Sequence, residues 1–153
     1  MNERKRRAFI GASTAGIGRA IAESLSANGV DVIINGRNES KNLAVASSIS
    51  ALTGNRVEVW TGDVTSPERV SELSNSIGEI DILIANTPGP TPNFNGFDRR
   101  QALLDAFERN MISVALLIDA LLPSMERNKF GRIITILSTS AVRPIHGLEA
   151  SSA

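Results

Sequence analysis

The chain contains no cysteine, no tyrosine and a single histidine, and each scarcity removes a class of chemistry. Without cysteine there is no disulfide framework, thiolate nucleophile or thiolate-bound metal. With His146 alone, neither a histidine metal cluster nor a histidine-centred triad has enough members, so no metal is expected. Sixteen Lys and Arg balance sixteen Asp and Glu, so no net field recruits nucleic acid or an anionic membrane. The basic run ERKRR at 3–7 has no interleaved aromatic residue and reads as a solvated lead-in to a strand. No apolar run approaches the ~20 residues of a membrane span, and the charged start is unlike a signal peptide. The expectation is a cytoplasmic protein whose partners include neither nucleic acid nor membrane.

What is present suits one domain. At 153 residues, 42% of them hydrophobic, the chain is long enough for one core and too short for two comfortable ones. A single domain over 1–153 is expected. Short apolar runs alternate with amphipathic ones. Strands are expected at RAFI (7–10), VDVII (30–34), RVEVWTGDV (56–64), IDILIA (80–85) and RIITIL (132–137). Helices are expected at 19–29, closed by Gly29, at 38–54, closed by Gly54, and at 66–78, where Ser66 and Pro67 suit an N-cap and first-turn proline. Residues 86–97, rich in Asn, Pro and Gly, are expected to be loop, and 98–128 a long helix interrupted at Pro123. Strand–helix alternation at this spacing implies an α/β fold, a parallel sheet with helices on both faces.

The stretch GASTAGIG, 11–18, lies at the first strand-to-helix turn. Glycines there let a backbone turn sharply and approach a pyrophosphate, and the following helix start attracts the anion. Gly11, Ser13, Thr14, Ala15, Gly16, Ile17 and Gly18 are the candidate contacts, with the Ser13 and Thr14 hydroxyls as phosphate donors. The second strand ends in INGR, where a dinucleotide fold reads the adenosine ribose; it offers Arg37 and no carboxylate. A guanidinium there clamps a 2′-phosphate, so NADP is expected, with NAD possible; the other reading of Arg37 is the start of a solvated helix. Asp63 and Val64 follow the third strand. Asp63 is either an acceptor for the adenine amine or a turn aspartate.

Together these pieces resemble the short-chain dehydrogenase/reductase family, whose glycine motif Thr-Gly-x-x-x-Gly-x-Gly falls on GASTAGIG with Gly11 and Ala12 in place of its first two residues. The resemblance covers the whole chain as the N-terminal portion of the family. It implies a Rossmann-type doubly wound sheet of strand order 3-2-1-4-5, truncated after strand five, and adenine contact at Asp63. It places the family's segment after strand four on Asn86, its helix asparagine on Asn110 and its strand-five serine on Ser138. Asn110 would sit at a local helix distortion supporting a proton-relay water, or it is simply an exposed polar position. Ser138 would orient a carbonyl or alcohol substrate, although Thr139 and Ser140 beside it also carry hydroxyls.

The family's catalytic Tyr-x-x-x-Lys pair would begin at residue 151, which is serine. A serine hydroxyl is a far weaker acid than a phenol of pKa ~10, and His146 is the one nearby imidazole that could exchange a proton. The implied function is an NAD(P)-dependent oxidoreductase, here a fragment with impaired catalysis. The alternatives are a non-catalytic nucleotide-binding relative and a flavodoxin-like domain holding FMN at the first turn. RIITIL is apolar on both faces, as in an internal strand, and becomes an open edge if it is the last. ALLIDALLPSM (115–125) is expected to expose apolar surface that a homo-oligomer of the full-length parent would cover.

Overall fold

The computed structural model describes residues 4–89, 99–143 and 145–152. Much of the expected loop at 86–97, and Asp98 at the expected start of the long helix, lie outside the described residues. The strands are β1 (Arg7–Ile10), β2 (Asp31–Gly36), β3 (Val57–Thr61), β4 (Ile82–Ala85) and β5 (Arg132–Thr135). They form one sheet of order β3-β2-β1-β4-β5, every pairing parallel. This is the Rossmann-type order; a flavodoxin-like sheet would run 2-1-3-4-5.

Parallel neighbours need crossover connections, and the helices supply them. These are α1 (Gly16–Ala27), α2 (Glu39–Thr53), α3 (Pro67–Ile77), α4 (Arg99–Phe107), α5 (Ser113–Arg127) and the short α6 (Glu149–Ser152). Alternate strand residues point to opposite faces, so the core has two layers. Ala8, Ile10, Val32, Ile34 and Ile84 pack with Ala22 of α1 and Val45, Ala46 and Ile49 of α2. Phe9, Ile33, Trp60 and Leu83 pack on the other face with Leu73 and Ile77 of α3 and Leu117, Leu121 and Met125 of α5. Phe9 and Trp60 meet edge to face, centroids 6.0 Å apart.

Local chemistry sets the helix ends. Ser66 caps α3 ahead of Pro67, Asn38 accepts from the Lys41 amide to open α2, and Gly54 closes α2 in the left-handed region at φ 71°. The expected break at Pro123 is absent: α5 runs through it to Arg127. Pro123 is exposed, so the Asp119 carbonyl that its missing N–H leaves unbonded can turn to water. The irregularity comes earlier. Residues Glu108–Ile112 form a π turn between α4 and α5. There the Ser113 amide and its Oγ, at 2.8 Å, both donate to the Glu108 carbonyl.

β2 also runs two residues past the expected end, taking Asn35 and Gly36 into the ladder opposite Trp60 and Thr61. β5 is an edge among the described residues, exposed at all four positions. Ile133 and Ile134 are 38% and 49% accessible there. Among the described residues no helix is long and apolar enough to cross a membrane.

Candidate nucleotide-binding site

The C-terminal ends of β1, β2 and β3 surround a groove of about 150 Å³ lined by Thr14, Ala15, Asn35, Gly36, Arg37, Asp63, Val64 and Pro88, among others. Its position follows from topology. The crossovers on the two sides of β1 leave in opposite directions, opening a crevice above the carboxyl ends of the strands.

The turn from β1 to α1 is sewn down at its front and open at its back. The Gly11 amide donates to the Ile84 carbonyl at 3.1 Å and the Ser13 amide to the Asn35 carbonyl at 2.8 Å, while the Ala12 amide donates to Asn35 Oδ1 at 2.9 Å. Beyond them the pattern stops. α1 starts after Ala15 with no side-chain cap, and the amides of Thr14 to Gly18 find no acceptor among the described residues. These are the donors a helix start leaves over, at the positive end of its dipole.

Two glycines explain how the backbone packs so closely. A Cβ on Gly11 would collide with the Asn86 carbonyl oxygen, and one on Gly18 would come within 2.7 Å of the Ala12 carbonyl oxygen. Ala12 itself sits at φ 45°, where the family motif has glycine.

Ser13 departs from the expected phosphate-donor role. It is fully buried, its hydroxyl donates to the Ile10 carbonyl at 2.7 Å and accepts from the Asn35 amide at 2.8 Å. Nothing on Ser13 remains for a ligand; it braces the turn. Thr14, half-buried and lining the groove, keeps its place. Ala15, Gly16 and Ile17 carry the open amides, with Ile17 projecting into solvent. Asn86 holds the turn against β4, its Nδ2 donating to the Gly11 and Ala12 carbonyls at 3.1 and 3.3 Å.

The hub of the arrangement is Asn35. Besides bonding Ala12 and Ser13, its Nδ2 donates to the Trp60 and Gly62 carbonyls at 3.2 and 3.0 Å, tying the first turn to the end of β3. A polar residue closing an apolar run was the available signal, and it reads just as well as the first residue of a loop.

Arg37 is 69% exposed at the rim, its Nη1 4.0 Å from Asp63 Oδ2. Asp63 Oδ1 accepts from the Thr65 amide and hydroxyl at 2.9 and 2.8 Å, the Asx turn that was one of its two readings. Partial burial disfavours its charge. The Thr65 hydrogen bonds and the Arg37 and Arg109 guanidiniums outweigh that, holding the carboxyl below the ordinary aspartate value of 3.8. Val64 is buried in the core beside the groove.

The two remaining candidates lie apart from the glycine turn. Asn110 sits inside the π turn, and its Nδ2 donates to Ser151 Oγ of α6 at 3.0 Å. Both line an open, mainly apolar groove of about 610 Å³ between α4 and α6. Ser138 follows β5, exposed, and its Oγ accepts from the Ser140 amide at 3.1 Å to cap a 3₁₀ turn at Thr139–Ala141. Ser140 is buried, which leaves Ser138 and Thr139 as the accessible hydroxyls. Exposed His146 pairs with Glu149 at 3.2 Å. Among the described residues no group of three His, Cys, Asp or Glu is placed to hold a metal.

A family model described as short chain dehydrogenase matches residues 6–153. The chain belongs to the short chain dehydrogenase family. A 3-oxoacyl-acyl-carrier-protein reductase of Haemophilus influenzae is 36% identical to this chain over 133 residues, 84% of the chain and 53% of the relative. The human inactive hydroxysteroid dehydrogenase-like protein 1 is 29% identical over 151 residues, 95% of the chain and 46% of the relative. Among solved structures, YwfH, an NADPH dependent reductase involved in bacilysin biosynthesis, superposes with TM-score 0.86 at 27% identity, covering 97% of this chain and 61% of YwfH. The chain spans about half the length of the curated relatives it matches.

Proposed function

We propose that this chain binds a nicotinamide dinucleotide above the carboxyl ends of its strands, NADP in preference to NAD. On this reading it belongs to a cytoplasmic oxidoreductase acting on a small carbonyl or alcohol substrate. The observation that carries the reading is the start of α1, where five successive amides lack acceptors among the described residues and the first two, of Thr14 and Ala15, belong to residues that line the groove. The residues fit the cofactor. Thr14, Ala15, Gly16, Ile17 and Gly18 would take the diphosphate, with Gly11, Ser13 and Asn86 holding the turn. Arg37 would take the ribose 2′-phosphate, and Asp63 Oδ2, beside Val64, would accept from the adenine amine.

When bound, the nicotinamide supplies a site that gives or takes a hydride. The chain's own residues bind, orient and carry protons. Ser138, with its hydroxyl proton free to donate, would hold the substrate oxygen. Asn110 lies in the π turn, where a backbone carbonyl freed by the distortion would support a water in the proton path, while its side-chain Nδ2 donates to Ser151. Serine at 151 and the absence of tyrosine leave no phenol to protonate or deprotonate the substrate. Binding with impaired turnover is therefore the expected behaviour of this chain. Serine at 151 in place of the family's tyrosine favours the second reading, a non-catalytic nucleotide-binding relative, and one relative carries the word inactive in its name.

Calorimetric titration tests the binding half. NADP is expected to bind at least about tenfold tighter than NAD, the range of one charge-assisted contact, and equal affinities would remove the role given to Arg37. A ketone panel tests the other half, with no turnover expected. A clear NADPH-dependent rate abolished by Ser138→Ala would contradict the impaired catalysis. The stretch 115–125 does not expose the apolar surface expected of it: Leu117, Leu121 and Met125 are buried and Leu116 and Ile118 pack against the core, leaving Leu122 at the surface. The exposed apolar side chains lie earlier, at Leu104 and Phe107 of α4 and Met111 of the π turn, and it is these that support a homo-oligomer as the full protein's state.

A further inference from the structure

Three consecutive residues after β4 reach three separate parts of the molecule. Asn86 Nδ2 donates to the Gly11 and Ala12 carbonyls of the first turn. Thr87 Oγ1 donates to the Arg109 carbonyl of the π turn at 2.9 Å. Pro88 lines the groove. The residue types make this segment stiff. A residue before proline is pushed towards extended backbone, a β-branched side chain has few rotamers, and proline has its own φ locked. The Thr87 hydroxyl therefore leaves the chain in a set direction.

What it meets is a carbonyl that the helix has released. In a continuous α-helix the Arg109 carbonyl would accept from the amide four residues on, that of Ser113. Here the Ser113 amide goes to the Glu108 carbonyl instead, and Ser113 Oγ joins it there at 2.8 Å. That one-residue slip takes away the regular donor of Arg109, and the Thr87 hydroxyl, 22 residues away in sequence, fills the place. A carbonyl oxygen accepts two bonds, so the Thr87 bond and a water are compatible there.

The slip matters for Asn110. α5 is fixed in the core by Leu117, Leu121 and Met125, whereas among the described side chains of α4 only Ala106 is buried. Closing the slip would therefore turn α4 relative to α5, by about 100° for one residue of helix. Asn110 lies inside the slip, and its 3.0 Å bond to Ser151 Oγ depends on the slip staying open.

We propose that Thr87 is a positioning residue. By capping the Arg109 carbonyl it holds the π turn open and keeps Asn110 in place, and through Pro88 it couples the setting of the π turn to occupancy of the groove. The coupling rests on nucleotide binding in that groove; the hold on the π turn does not.

The test compares the chain with Thr87→Val, which keeps the shape and removes the donor, and Thr87→Ser, which keeps the donor. Without nucleotide, hydrogen exchange at the Ser113 amide is expected to speed about tenfold in Thr87→Val, the range of one hydrogen bond. Thr87→Ser should stay near the wild-type rate. The Leu117 and Leu121 amides should exchange alike in all three. Unchanged exchange at Ser113 in Thr87→Val, or an equal rise at Leu117 and Leu121, overturns the hold on the π turn. With NADP, the amides of Arg109, Asn110 and Ser113 should shift in step with Gly16 and Gly18 in the wild type and in Thr87→Ser. In Thr87→Val the Gly16 and Gly18 shifts should persist while those of the π turn are lost. Wild type that binds NADP without moving the π turn overturns the coupling, and so does a Thr87→Val response equal to wild type. Wild type that fails to bind NADP removes the dinucleotide reading and the coupling with it, while Ser113 exchange still decides the hold on the π turn.

Discussion

At the residue scale the site depends on which polar groups are already spent. Asn35 uses its side chain on three backbone groups of two segments, the first turn and the end of β3, so it sets the turn geometry. Asn35→Ala is expected to cost about 2–4 kcal/mol, because it strands buried partners as well as losing bonds. Urea unfolding measures that loss, and nucleotide affinity should fall with it. Asp63 gives a pH prediction of definite sign. Its folded value lies below 3.8, so its contribution to stability is present above pH 3.8 and is lost as pH falls through the lower folded value. A carboxyl-detected NMR titration should place its midpoint below 3.8, and Arg37→Gln should move that midpoint upward. A wild-type midpoint at or above 3.8 would contradict the account of its partners. Ser13 shows what composition conceals: a hydroxyl in a glycine-rich turn reads as a phosphate donor until the fold shows it facing Ile10 and Asn35.

At the scale of elements, the strands, the first three helices, the glycine ends at Gly29 and Gly54 and the Ser66–Pro67 start were legible because apolar periodicity and capping chemistry are local. The features that were not legible depend on tertiary surroundings. Pro123 remains helical because its face meets solvent, and the π turn at Glu108–Ile112 leaves no mark on the apolar spacing, so that only the family resemblance, through Asn110, pointed to a distortion there. β2 looked shorter than it is because its buried Asn35 is polar. The close seating of the first turn on α1 gives the sharpest test at this scale. A methyl at Gly18 would press on the Ala12 carbonyl and on Ser13 Cα at 2.7 and 2.9 Å, both backbone atoms that cannot swing aside. Gly18→Ala should therefore cost about 1–3 kcal/mol in thermal or urea unfolding. It should also reduce nucleotide affinity by more than about tenfold, since the displaced amides are those facing the diphosphate.

Taken as a whole, the described residues form a five-stranded parallel sheet with β5 exposed at one edge. Ile133, Ile134 and, beyond the strand, Leu137, which is 87% accessible, stand exposed at one margin. The long helix adds Leu104, Phe107 and Met111. A sheet edge with exposed β-branched residues pairs readily with another chain. With zero formal net charge there is little repulsion to oppose it. Sedimentation should show self-association rising with concentration, and Ile134→Lys should reduce it without disturbing nucleotide binding some distance away across β4 and β1.

Nucleotide binding by this chain would depend on the amides at the start of α1. An amide-resolved NMR titration with NADP measures them one by one. Saturable shifts are predicted at Thr14, Ala15, Gly16, Ile17 and Gly18, together with Arg37 and Asp63. The Ser13 amide, already bonded to Asn35, should move less. A folded chain in which those five amides do not respond at saturating NADP would contradict the central claim.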